Sequence, residues 1–235
     1  ATRGFKSGGF QGIAGSGPSQ ATPYDPEFAW SYEGGAKTQW LDNRVRMNLA
    51  VFQTNYKDLQ VSQLVPLCCV VVGNAATARI TGYELEFVFA PIEGLQFDGS
   101  YARLNTKFTS FANGATANFT GNDLPRSPKD KIHLGAQYSF EVEGWETLGR
   151  VDYTNQSKMY FEASNIPTQK QEGYINVDAR VSVTSPDKKW QVAIWGKNLT
   201  DELVATYVTA FAPYRQVLVP YAPPKTYGVT LVWNY

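Results

Sequence analysis

Any chemistry in this chain would have to come from few residues. There is one histidine, His133, and there are two cysteines, the adjacent Cys68 and Cys69. Asp130 stands three residues before His133. On a strand, that odd spacing sends the two side chains to opposite faces, so they cannot work as a pair. No Ser-His-Asp set and no cluster of metal ligands can be assembled around this histidine. Its plain reading is a hydrogen-bonded wall residue. Neighbouring cysteines could close only a strained small ring, so no disulfide is assumed, and no histidine lies near them to suggest a metal. The residues suited to binding lie in the long segment before the last strand. Tyr207, Phe211, Tyr214 and Arg215 combine aromatic surface with a fixed positive charge, a combination that attracts an anionic ligand. The alternative is that these aromatics pack loop against loop, and Phe108, Phe111 and Phe119 allow the same two readings.

Ten extended segments carry these residues. Short links at Leu41–Asn43, Pro91–Gly94, Glu141–Trp145 and Thr184–Lys189 hold turn-forming Asn, Gly, Pro or Asp. They alternate with long stretches at roughly 11–26, 62–75, 105–129, 157–172 and 199–225. Short turns on one side and long loops on the other are the pattern of an antiparallel transmembrane β-barrel in a bacterial outer membrane, with the short turns in the periplasm. Both ends of the chain are expected at the periplasmic rim.

The residue pattern within the segments agrees. In the second, Phe28, Trp30, Tyr32, Gly34, Ala36, Thr38 and Trp40 fall on one face, and Ser31, Glu33, Lys37 and Gln39 on the other. A period of two with one apolar side is a strand between two environments. The same parity turns Arg46, Glu84, Glu86, Asp98, Asp152, Asp178 and Arg180 inward, with Lys37, Lys131, Arg150 and Lys197. Arg103 keeps the parity of outward Tyr101, which calls for a bulge or a position above the membrane. Inward charge would be costly in the core of a soluble β-sandwich. A passive ion pore would favour one sign, whereas this wall carries both. Such a wall suits contact with another charged protein element, or is simply solvated.

Composition narrows the rest. Net charge is zero and disfavours a nucleic-acid surface. No run of about 18 apolar residues exists to form a transmembrane helix. Aromatic residues are 14% of the chain, in keeping with girdles at two membrane interfaces. No signal peptide is present, and the chain opens inside a strand, as a portion lacking its front would.

Several motifs resemble those of the C-terminal part of TonB-dependent outer-membrane receptors. They are Arg3-Gly4-Phe5-Lys6-Ser7-Gly8-Gly9-Phe10, Asn74-Ala75 with Arg79-Ile80-Thr81-Gly82-Tyr83-Glu84-Leu85-Glu86, Leu124-Pro125-Arg126-Ser127-Pro128-Lys129, and Gly196-Lys197-Asn198-Leu199-Thr200-Asp201-Glu202. The terminal strand, with Tyr227, Gly228, Leu231, Trp233 and Tyr235, resembles the signal read by the barrel assembly machinery, although Phe is the commoner last residue. The resemblance implies that residues 1–235 are the last ten strands of a 22-stranded barrel. The parent would be a non-enzymatic active transporter without a cofactor, most often for a ferric siderophore. A plug would face the inward charges, the TonB complex would supply energy, and the last loop would help to hold the iron chelate. The alternatives are a passive porin and a small ten-stranded barrel enzyme.

Overall fold

The computed structural model describes residues 1–10, 23–65, 69–113, 117–211 and 216–234. Ten strands form one antiparallel sheet in chain order: β1 (Thr2–Lys6), β2 (Glu27–Trp40), β3 (Val45–Val65), β4 (Cys69–Ile92), β5 (Leu95–Asn113), β6 (Asp130–Val142), β7 (Trp145–Gln156), β8 (Tyr174–Thr184), β9 (Trp190–Lys197) and β10 (Thr226–Trp233). Among the described residues β1 pairs only with β2 and β10 only with β9, so the sheet has two open edges.

The sheet is a shell. Its accessible surface is 15365 Å², against about 10,600 Å² for a compact soluble chain of this mass. No large described side chain is fully buried. Alternation puts the apolar residues on one side, and they stay exposed: Tyr227 80%, Ile194 65%, Val51 52%, Tyr32 50%. So large an apolar face is stable only against lipid. Trp40, Trp145, Trp190 and Trp233 ring its short-turn end, and Trp190 stacks on Trp233 at 5.2 Å. Trp30, Tyr32, Tyr83 and Tyr101 mark the opposite end. Along β2, Trp30 to Trp40 covers about 33 Å of strand, which at a barrel tilt of about 40° is about 25 Å of membrane, the height of an apolar band.

Three expectations change. The stretch 62–75 is mostly strand, because β3 runs to Val65 and β4 starts at Cys69. These strands have 21 and 24 residues, about twice what crosses a membrane. Beyond the lipid nothing demands one apolar face in alternate positions, so alternation fades, while β-branched runs such as Val70-Val71-Val72 still favour strand. Likewise β5 continues to Asn113, past the expected loop start at Asn105. Lastly, only the final strand ends at the short-turn rim. Thr2 sits opposite Ser31, partway up β2, because β1 pairs only with the half of β2 nearer the long loops.

Arg103 needs no bulge. It lies outward opposite Tyr83 and pairs with Asp130 at 3.2 Å, where Tyr101 also donates its hydroxyl to Asp130 at 2.7 Å. Gly94, at φ 78°, sits in the turn after β4, where a Cβ would strike the Ser139 carbonyl.

Candidate functional site

Two places concentrate polar and aromatic groups: the inward wall and the layer of long loops above it. On the wall, Arg150 of β7 reaches across β6 to Asp98 of β5, with Nη1–Oδ1 at 2.8 Å and Nη2–Oδ2 at 3.1 Å, and also holds Asp152. The reach is possible because Gly135 of β6 lies between Asp98 and Asp152 in register. A Cβ at Gly135 would fall 2.7 Å from Asp98 Oδ2 and closer still to the guanidinium. His133 lies 3.7 Å from Asp98 and 3.6 Å from Asp152, so it belongs to this knot and faces away from Asp130.

Register places Arg150 opposite Arg180 and Asp152 opposite Asp178. Like charges in opposed positions repel. The diagonal pairing of Arg150 relieves one row. Asp178 accepts the Asn198 backbone N–H at 2.8 Å and the Asn176 amide at 2.9 Å. Glu86 accepts from Asn48. Arg46, Glu84 and Arg180 are exposed and form no ion pair among the described residues. The seven wall residues marked in the sequence therefore divide: Asp98 and Asp152 belong to one knot with Arg150, and the others stand apart from it.

The loop layer starts with a bulge. Ser110 pairs with Thr77 but Phe108 with Ala78, so β5 gains one residue. That extra residue brings Phe108 and Phe111 to the same side, 4.8 Å apart, with Phe119 edge-on to Phe111 at 5.1 Å. Ala76, Ala78, Leu124 and Ala163 pack around them. The segment after β5 returns along its edge, with Gly121 N–H to the Phe108 carbonyl and Phe108 N–H to the Asn122 carbonyl. It is tied to the loop after β7 by Asn165, whose amide accepts from Asp123 N–H at 2.7 Å and donates to the Asp123 carbonyl at 3.0 Å.

A second cluster joins that loop to the last one. Phe161, Ala205 and Val208 are buried against Met159, Tyr207 and Val219. Gln171 accepts the Ala205 N–H at 2.7 Å. Tyr207 packs edge-on to Phe161 at 6.2 Å, its hydroxyl donates to Glu162 at 3.4 Å, and the Arg126 guanidinium lies 5.3 Å over its ring. Three loops thus form one layer.

Residues 1–199 match the family model described as TonB dependent receptor-like, beta-barrel. The chain belongs to this family. As a TonB-dependent receptor barrel it lies in the outer membrane. The metal-pseudopaline receptor CntO of Pseudomonas aeruginosa is 32% identical over 145 residues, 62% of this chain and 19% of the receptor. The probable TonB-dependent siderophore receptor PiuA of Acinetobacter baumannii is 25% identical over 162 residues, 66% of the chain and 21% of the receptor. The crystal structure of the ferric yersiniabactin uptake receptor FyuA from Yersinia pestis superposes with a TM-score of 0.83 at 20% identity, covering 99% of this chain and 34% of that one. The TonB-dependent receptor barrel described here therefore spans about a fifth of the length of its curated relatives.

Of the four loop residues singled out in the sequence, Tyr207 is half-buried at the junction of the loops. Phe211 ends the short strand Thr209–Phe211, which pairs with Gln216–Leu218, and only its backbone is described. Tyr214 and Arg215 lie outside the described residues, as does Tyr235. Sequence reasoning missed Arg126. It is an exposed cation at φ 57° whose N–H is held by the Tyr160 carbonyl. Its setting in Leu124-Pro125-Arg126-Ser127-Pro128 gave a signal for a fixed turn but none for its partner, Tyr207.

Proposed function

We propose that residues 1–235 form one barrel segment of an active outer-membrane transporter for a ferric siderophore or a similar metal chelate. The observation that carries this reading is the family match over residues 1–199, joined to the cross-linked loop layer above the wall. The relatives named above are receptors for metal-chelating small molecules, and such ligands are commonly anionic. Arg126 over Tyr207, followed by the segment holding Phe211, Tyr214 and Arg215, offers aromatic surface and fixed cations to such a ligand. The Asp98–Arg150–Asp152 knot, the half-buried Asp178 and the exposed Arg46, Glu84, Glu86 and Arg180 offer both signs of charge to a plug. The TonB complex would supply energy through a part of the parent outside these residues, and the barrel assembly machinery would read the strand ending in Trp233 and Tyr235. On this reading the chain catalyses no reaction.

Deleting the gene that encodes the chain should abolish uptake of one iron-loaded chelate, and a protonophore should abolish it in the wild type. Protonophore-insensitive uptake would instead mark a passive porin. In the full-length parent, Arg126→Gln and Arg215→Ala should each weaken chelate binding by about tenfold to a hundredfold, the worth of one charged contact, at unchanged barrel yield. Tyr235→Ala should lower folded yield and leave the affinity of the surviving molecules unchanged.

A further inference from the structure

The outward face carries a sign asymmetry that the inward wall lacks. Within β1–β5, from Trp40 up to the row of Phe28, every charged residue on the outward face is basic. Arg3 lies opposite Trp30, Lys57 opposite Phe28, Arg79 in the row of Trp30 and Asn55, Lys107 opposite Arg79, and Arg103 opposite Tyr83. All five therefore border the aromatic residues that mark the long-loop edge of the apolar band, the depth at which lipid headgroups lie.

Two of these cations have acidic partners: Arg103 with Asp130 at 3.2 Å and Lys107 with Asp123 at 2.8 Å. Arg3, Lys57 and Arg79 have no acidic partner among the described residues. Arg3 lies over the rings of Phe28 and Trp30 at 4.5 and 5.9 Å, and Arg79 donates only to the neutral Asn55. Arg79 is opposed to Lys107 on the adjacent strand, and the Asp123 carboxylate already answers Lys107, which leaves Arg79 as the uncompensated cation of that row. Just below, the outward face is concave. A groove of about 600 Å³ runs between Tyr32 and Tyr83, over Gly34 and Val51, with Arg103 and Asn105 at its side. It stays open because Gly34 has no side chain and nothing lies within 4 Å of where its Cβ would be. An apolar groove running up to unpaired cations at headgroup depth has the shape and charge of a lipid site.

We propose that the outward face of β1–β5 binds an anionic phosphate-bearing lipid, its headgroup on Arg3, Lys57 and Arg79 and an acyl chain in the groove over Gly34. The occupant is a lipid rather than a protein because the groove opens from a face that lipid must already cover.

The test uses the full-length parent, folded in bilayers, with spin-labelled phosphatidylglycerol and phosphatidylcholine as probes. The wild type should retain the anionic lipid in preference to the zwitterionic one. Arg3→Gln/Lys57→Gln/Arg79→Gln should reduce the preference, each cation accounting for about fivefold at most. Asp130→Asn, which frees Arg103, should raise it. Lys37→Gln/Lys131→Gln/Lys197→Gln removes the same charge from the inward face and should leave it unchanged. The preference is a ratio read on folded molecules only, so a lower yield does not mimic the result. No preference in the wild type, or equal loss in the outward and inward triples, would overturn the proposal.

Discussion

The link after β8 closes on itself: Ser185 donates its hydroxyl to Asp187 at 2.6 Å, Asp187 accepts the Lys189 N–H at 3.1 Å, and Ser185 accepts the Trp190 N–H at 3.0 Å. At the other end of the sheet the comparable fastening is Asn165 on Asp123, 42 residues apart in sequence. Short turns are stable by themselves and set the register of the strands they join. The long loops hold their shape only together, since each supplies groups that another needs. On the function proposed above, the difference would suit a wall that must form in any case and a loop layer whose defined shape can still be altered.

The largest effect that could break this contrast comes from Phe108→Ala. Loss of a buried ring should cost about 3–5 kcal/mol. Hydrogen exchange should rise in both 117–125 and 157–172, with heat-modifiable folding of the barrel preserved. Faster exchange in 117–125 alone would mean that the loops are independent. Next is Gly94→Val, which puts a Cβ into the Ser139 carbonyl at a left-handed φ and should cost about 1–3 kcal/mol. Here folding in detergent should slow and loop exchange should stay as it was, the reverse of the Phe108 result. Asn165→Gly keeps the left-handed backbone of φ 51° and removes the amide. It should cost about 1–2 kcal/mol, read as proteolytic nicking between Asp123 and Asn165 in a still-folded barrel.

The smallest effect is with pH. The Ser185 hydroxyl and then the Lys189 N–H hold Asp187 below the ordinary carboxylate value of 3.8. A lowered folded-state pKa means that the stabilisation is fully present above the unfolded value and is lost as pH falls through the folded one. Wild-type stability should therefore decline below about pH 4, and Asp187→Asn should flatten that part of the urea-midpoint profile. An unchanged slope would remove Asp187 from the turn's fastening.

What was legible follows the same division. Strands within the membrane separate two solvents, so β2 writes its faces into Phe28 through Trp40, and the turns announce themselves by Asn, Gly and Pro. Arg103 could be read as outward but not as paired, because Asp130 is on another strand. Past the lipid the alternation loses its cause, and the extension of β3 and β4 went unseen. Phe108 and Phe111 are three apart, a spacing that denies a shared face until the bulge opposite Thr77 and Ala78 restores it. Arg126 with Tyr207, and Asn165 with Asp123, are long-range pairings that no local pattern encodes.

The empty place at Gly135 works as a seat. A Cβ there would first meet the mobile ends of Arg150 and Asp98, not backbone. A side chain at this position would therefore push the guanidinium and the carboxylate apart while leaving the strands where they are. The gap thus separates two things that elsewhere go together: the sheet can keep its register while the ion pair across it is let go.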